Sequence, residues 1–168
     1  MNRRPDITVV VPSYNEAESL PELAAWIDRV VTRENLSCEL IFVDDGSSDD
    51  SWEVIERLKE KYPYIKAIGF MRNYGKSAAL YCGFAEAHGE VVFTMDADLQ
   101  DSPDEIPAMR RMIREEGYEM GSGWQKHRFD PIGKRWPSKF FYFTALRVSG
   151  SHPVPYEHLT LPSHASAE

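Results

Sequence analysis

The sequence predicts an α/β fold of three layers, with helices on both faces of a mostly parallel, open sheet. Short, continuous apolar runs rich in β-branched residues alternate with segments of helical period, and the connections between them are short. That alternation implies right-handed crossovers and places ligands beyond the carboxyl ends of the strands.

Ile7 to Val11 is an apolar run closed by Pro12, as expected of a strand buried on both faces. A helix follows, with Ser19 and Glu22 spaced as a capping box and Pro21 in the first turn. Leu23, Trp26, Ile27, Val30 and Val31 then recur at helical spacing to about Thr32. Glu39 to Val43 is the second strand and Trp52 to Tyr62 the second helix, with Trp52, Ile55 and Leu58 inward. Ile65 to Phe70 is the third strand, and Ser77 to Ala87 a helix ended by Gly89. Val91 to Met95 is the fourth strand, and Pro103 to Glu116 a helix opened by Ser102 and stopped by Gly117. Met120 to Ser122 fits a short fifth strand.

The 168 residues are 42% hydrophobic and 12% aromatic, enough for one core. Lys+Arg 19 against Asp+Glu 27 gives a net charge of -8, which excludes nucleic-acid binding by general basicity. An acidic protein that binds an anion is expected to recruit a cation. Cys38 and Cys82 form no CxxC, so neither a disulfide framework nor a thiolate zinc site is expected, and the setting is a reducing cytoplasm. No run reaches the roughly 20 apolar residues of a membrane span, and Met1 to Asp6 lacks the apolar core of a signal peptide. The expected organisation is one domain over residues 1–150 and an irregular tail over 151–168, which carries three prolines and three histidines without an apolar period.

Each strand's exit carries a polar motif. After the first comes Pro12-Ser13-Tyr14-Asn15-Glu16, a turn with a ring and a carboxylate where dinucleotide binders hold glycines; a plain Pro/Asn turn is the alternative. After the second comes Asp44-Asp45-Gly46-Ser47-Ser48-Asp49-Asp50. Asp49 and Asp50 suit helix capping, whereas Asp44 and Asp45 are placed to accept hydrogen bonds from a base or ribose. After the third, GFMRNYGKS has five residues between its glycines where a P-loop has four. Arg72, Lys76 and the helix start remain able to meet a diphosphate. After the fourth comes Met95-Asp96-Ala97-Asp98-Leu99-Gln100-Asp101, in which Asp96 and Asp98, on one side of a strand's end, offer hard oxygen ligands to Mg²⁺ or Mn²⁺.

In combination these segments resemble the inverting nucleotide-sugar glycosyltransferases of family 2, which have the GT-A fold, from Ile7 to about Gly150. PSYNE, VDDGSSD, RNYGKSAAL, MDADLQD and GSGWQKHR are most similar to the dolichyl-phosphate mannosyltransferase and bacterial polyprenyl-phosphate glycosyltransferase branch. The resemblance implies that Pro12, Tyr14, Glu16, Val43 and Asp45 hold the nucleoside. Asp96, Ala97 and Asp98 then meet the diphosphate, and the same two aspartates with Gln100 hold the metal; Lys76 joins the nucleotide-binding set from its own place at the helix start. Asp96 and Asp98 would act catalytically by placing positive charge at the departing diphosphate.

Gln125 stands where relatives often carry an arginine, which leaves Arg72, Lys126 and Arg128 as the candidate diphosphate or acceptor contacts. The implied donor is a nucleotide-diphosphate sugar of the UDP-glucose or GDP-mannose type, and the implied acceptor a polyprenyl phosphate at the inner face of the membrane. Such an acceptor is already an anion and needs positioning more than a base. The family's acceptor-side segment after a position like Gly150 is not found, so the expected chain is incomplete on that side. Phe140 to Phe143 would then seek a partner, as in a homo-oligomer. The rival reading is a catalytically silent nucleotide-binding or assembly module. A receiver-like signalling domain fits poorly, because acidic pairs follow both the second and fourth strands.

Overall fold

The computed structural model describes residues 4–115, 120–121 and 145–147. Strand β1 is Ile7–Ser13, β2 Cys38–Asp44, β3 Ile65–Gly69 and β4 Val91–Thr94, with two short strands, β5 Met120–Gly121 and β6 Ala145–Arg147. The helices are α1 Leu20–Arg33, α2 Ser51–Lys61, α3 Lys76–Ala85 and α4 Ile106–Glu115, the last preceded by a 3-10 turn over Pro103–Glu105.

The strands lie in the order β3-β2-β1-β4-β6-β5. β1, β2, β3 and β4 are mutually parallel, and β6 runs antiparallel to both β4 and β5. The period of two along β1 divides the core. Ile7, Val9 and Val11 join Leu20, Leu23 and Ile27 of α1, Ile55 of α2 and Ile106 of α4 on one face, whereas Val10 joins Ile41, Val43, Val92 and Ala79 of α3 on the other. Helix α3 approaches β1 closely because position 83 is glycine; a Cβ there would lie 2.3 Å from Val10 Cγ1.

The chain steps outward from β1 to β2 to β3, then returns through α3 to place β4 on the other side of β1. The direction of winding therefore reverses between β1 and β4, and a crevice opens beyond their carboxyl ends.

Local chemistry departs from the pattern in three places. Ser19 does not form the capping box with Glu22: its backbone is already helical, and its Oγ donates to the carbonyl of Glu16 at 3.1 Å and to Glu16 Oε2 at 3.0 Å. Trp52 is half-buried, its ring lying over Gly69, and Val54 takes the inward position beside Ile55 and Leu58. Pro103 starts a 3-10 turn and not the α-helix, which begins at Ile106. The Met120 to Ser122 expectation falls on β5 for Met120–Gly121. Among the described residues no helix is long and apolar enough to cross a membrane.

Candidate nucleotide and metal site

The exits of β1 and β2 are laced together by the small polar residues between β2 and α2. Asn15, at φ 56°, donates its backbone N–H to Ser47 Oγ at 2.9 Å, while its side-chain oxygen accepts the N–H of Ser48 at 2.8 Å. Glu16 N–H donates to Ser51 Oγ at 2.9 Å and Ala17 N–H to Asp49 Oδ2 at 3.3 Å. Asp49 also accepts the N–H of Ser51 at 3.0 Å. Desolvation opposes ionisation of Asp49, but these bonds outweigh it and hold the carboxyl below its usual range. The capping expected of Asp49 is thus present, and the same carboxylate also reaches across to the loop after β1; no side-chain cap comes from Asp50.

Asp44 and Asp45, each 4% exposed, are compensated separately. Asp44 accepts the N–H and the hydroxyl of Ser47, the former at 3.2 Å. Asp45 reaches away from it: Oδ1 accepts the N–H of Tyr74 at 2.7 Å and Oδ2 that of Gly75 at 2.8 Å. The loop after β3 is fastened to β2 in this way, and Gly46, at φ 70°, allows the close approach because a Cβ would lie 2.4 Å from the Arg72 carbonyl carbon. Above that junction Tyr74 meets Phe70 edge to face, with centroids 5.6 Å apart, and Arg72 lies over the Tyr74 ring at 4.9 Å.

Strand β4 ends at Thr94, so Asp96 and Asp98 stand in the following turn and not on the strand itself. Leu99, at φ 63°, tightens that turn. Gln100 N–H donates to Asp98 Oδ1 at 3.1 Å, and Asp96 N–H to Asp101 Oδ2 at 3.0 Å. Burial pushes the Asp101 carboxyl up, and the charges of Asp96 and Asp98 push it further against the bond from Asp96 N–H. Lys76, the first residue of α3, reaches across to Asp96 Oδ1 at 2.5 Å.

These loops enclose a cleft of about 270 Å³, lined by Pro12, Ser13, Tyr14, Glu16, Asp45, Asn73, Gly75, Lys76, Asp96, Ala97 and Asp98. Eight of the expected site residues meet there. Val43 does not: it is fully buried among the residues packed against α3, one layer beneath. Arg72 and Gln100 are exposed outside the lining, and Lys126 and Arg128 lie outside the described residues. Ser13, Asn73 and Gly75 were not singled out by sequence; adjacency to Pro12, Tyr14 and Lys76 is the signal that could have found them. A larger recess of about 580 Å³ beside β3, lined by Ile41, Ile68 and Tyr81 among others, has none of the carboxylate pairs and lies away from the switch point.

The cleft's formal charges are the carboxylates of Glu16, Asp45, Asp96 and Asp98 against the ammonium of Lys76. Such a surface repels a diphosphate unless a further cation enters with it. The donor set suits that cation: two hard carboxylates are the usual protein contribution to Mg²⁺ or Mn²⁺ when phosphate oxygens and water complete the shell. Among the described residues no group of three or more His, Cys, Asp or Glu side chains is placed to hold a metal without such help.

The sequence matches the glycosyl transferase family 2 profile over residues 8–163. Undecaprenyl-phosphate 4-deoxy-4-formamido-L-arabinose transferase of Pseudomonas syringae pv. syringae (strain B728a) is 38% identical over 146 residues, 86% of this chain and 43% of that protein. The protein of the same name from Pseudomonas fluorescens (strain SBW25) is 37% identical over 153 residues, 89% of this chain and 44% of its own length. The chain thus spans less than half the length of these curated relatives. Two solved structures share the fold. The mannosyltransferase PcManGT from Pyrobaculum calidifontis, in complex with GDP-Man and Mn²⁺, has a TM-score of 0.66 at 23% identity, over 87% of this chain and 45% of its own. S. aureus TarS 1-349 in complex with UDP-GlcNAc has a TM-score of 0.62 at 18% identity, over 84% of this chain and 45% of its own. The polyprenyl-phosphate branch named from the motifs is the one to which the curated relatives belong, the sheet is of the GT-A type, and the chain belongs to glycosyl transferase family 2.

Proposed function

We propose that the chain is the donor-binding part of a metal-dependent, inverting glycosyltransferase that moves a sugar from a nucleoside diphosphate to a polyprenyl phosphate. One observation carries this reading: Glu16, Asp45, Asp96 and Asp98 converge with Lys76 in one cleft at the β1/β4 switch point. An anionic nucleotide fits there only in company with a divalent cation. The names of the curated relatives, which specify undecaprenyl phosphate and a sugar, support the acceptor class. The neighbour solved with GDP-Man and Mn²⁺ supports the donor and metal classes.

In this reading Asp96 and Asp98 would hold Mg²⁺ or Mn²⁺, which supplies positive charge at the departing diphosphate. The chain's own groups do the rest. Pro12 and Tyr14 form an apolar wall, Tyr14 being 47% exposed and free to lie along a base. Asp45 fixes the loop that forms the opposite wall, and buried Ala97 leaves room for close approach to the backbone. Lys76 supplies an ammonium for the diphosphate. A phosphate acceptor arrives ionised, so inversion by direct displacement asks the protein for alignment and exclusion of water rather than for a strong base. Action at the inner membrane face belongs to the same proposal.

The test is incubation with UDP- and GDP-linked sugars and undecaprenyl phosphate, with Mn²⁺ or EDTA, and detection of the glycosylated lipid by mass spectrometry. Metal-dependent product supports transfer. Nucleotide binding without product on any lipid phosphate supports the silent module instead.

A further inference from the structure

We propose that Lys76 is the resident counter-ion of Asp96, holding the carboxylate a divalent cation would use, so that metal and nucleoside diphosphate enter the cleft together and not metal first. The inference rests on the nucleotide and metal reading above and adds an order of binding to it.

The geometry has three parts. The Lys76 ammonium lies 2.5 Å from Asp96 Oδ1, so one of the two candidate ligands is already neutralised. The lysine is fixed at its base and exposed along its stem: its helix starts directly after Gly75, whose N–H is held by Asp45 with that of Tyr74, while the Lys76 side chain is 56% exposed. The other cation of this loop, Arg72, lies over the Tyr74 ring.

A metal ion entering alone would have to displace the ammonium and would gain only two carboxylates in return. Weak binding follows, because Mg²⁺ and Mn²⁺ bound through one or two carboxylates rely on substrate phosphates for the rest of the shell. A diphosphate changes the exchange. Its oxygens would offer Lys76 a second partner, and the flexible four-carbon stem would let the ammonium move to them, leaving Asp96 Oδ1 open to a divalent cation. The charge of Asp96 is then balanced both before and after the ligands arrive.

Electron paramagnetic resonance of free Mn²⁺ reads this directly, with the full chain titrated first by MnCl₂ alone and then by MnCl₂ with UDP. Lys76→Met is expected to bind Mn²⁺ alone about two- to fivefold more tightly than the parent chain, the range for losing a part-exposed ion pair. Lys76→Arg, which keeps the charge, is expected to behave as the parent. Lys76→Gln repeats the neutralisation with a polar side chain, and thermal melts by circular dichroism check that each variant is folded. Mn²⁺ binding that is no tighter in either neutral variant overturns the proposal, as does equal tightening in Lys76→Arg. Asp96→Asn separates the two layers: it must lose the joint Mn²⁺ and UDP binding, and if it retains it, the site reading itself fails whatever Lys76 does.

Discussion

The carboxylate of Asp45 accepts the backbone N–H of Gly75 at 2.8 Å, tying the exit of β2 to the first turn of α3 across 30 residues of sequence. With the bond to Tyr74 N–H at 2.7 Å, it sets where Lys76 begins and hence how the cleft closes. Asp45→Ala is expected to lower stability by about 1–3 kcal/mol, the cost of leaving part-buried N–H groups without a partner. Nucleotide affinity should fall as well. Urea denaturation and a UDP titration on the same variant check both parts, and unchanged binding would remove Asp45 from the site.

Gly83 sets a second constraint, on the opposite face of the sheet. Gly83→Ala would put a methyl 2.3 Å from Val10 Cγ1, and Val10 is fully buried with no space to yield. Forcing α3 away from β1 is expected to cost about 1–3 kcal/mol. The thermal midpoint should fall, and because α3 carries Lys76, the bond to Asp96 should loosen with it. An unchanged melting curve would show that α3 has freedom the packing does not suggest.

At the far end of the strands, away from the cleft, Glu39 carries the clearest pH signature. Burial acts to raise its pKa, but Lys66 at 2.6 Å, Thr8 Oγ1 at 2.7 Å and His88 N–H at 2.8 Å together hold the carboxyl below its usual value. A lowered carboxyl contributes stability that is present above the unfolded value, about 4.3, and is lost as the pH falls through the lower folded value. Glu39→Gln is therefore expected to be less stable at neutral pH and to show a shallower loss of stability below about pH 4. Urea midpoints between pH 3 and 7 measure it, and parallel curves for the two proteins would contradict it.

Much of this was legible in the sequence where the chemistry is local. The short runs rich in β-branched residues at Ile7 to Val11 and Val91 to Met95 marked the two strands that flank the cleft, and Asp96 and Asp98 stood out because the pair follows a buried strand and faces a second acidic pair, not from spacing alone. What spacing does not carry is partnership across the chain. Ser19 looked like a cap because Glu22 follows three residues on, but Glu16 claims its hydroxyl once the loop after β1 is folded back. The network of Glu39 with Thr8, Lys66 and His88 joins residues 27 to 49 positions apart, and no local pattern announces it. Val43 matched a motif position, yet the alternation of β2 turns it into the core beneath the cleft.

The cleft is expected to bind a nucleoside diphosphate only together with a divalent cation. Calorimetric titration with UDP and with GDP, in Mn²⁺ and in EDTA, beside Asp98→Ala, measures this. The expected result is heat of binding for one nucleotide in Mn²⁺, reduced at least about tenfold in affinity by EDTA and by the substitution, in keeping with the loss of a charge-bearing ligand. Equal affinity with and without metal, or binding untouched by Asp98→Ala, would contradict it.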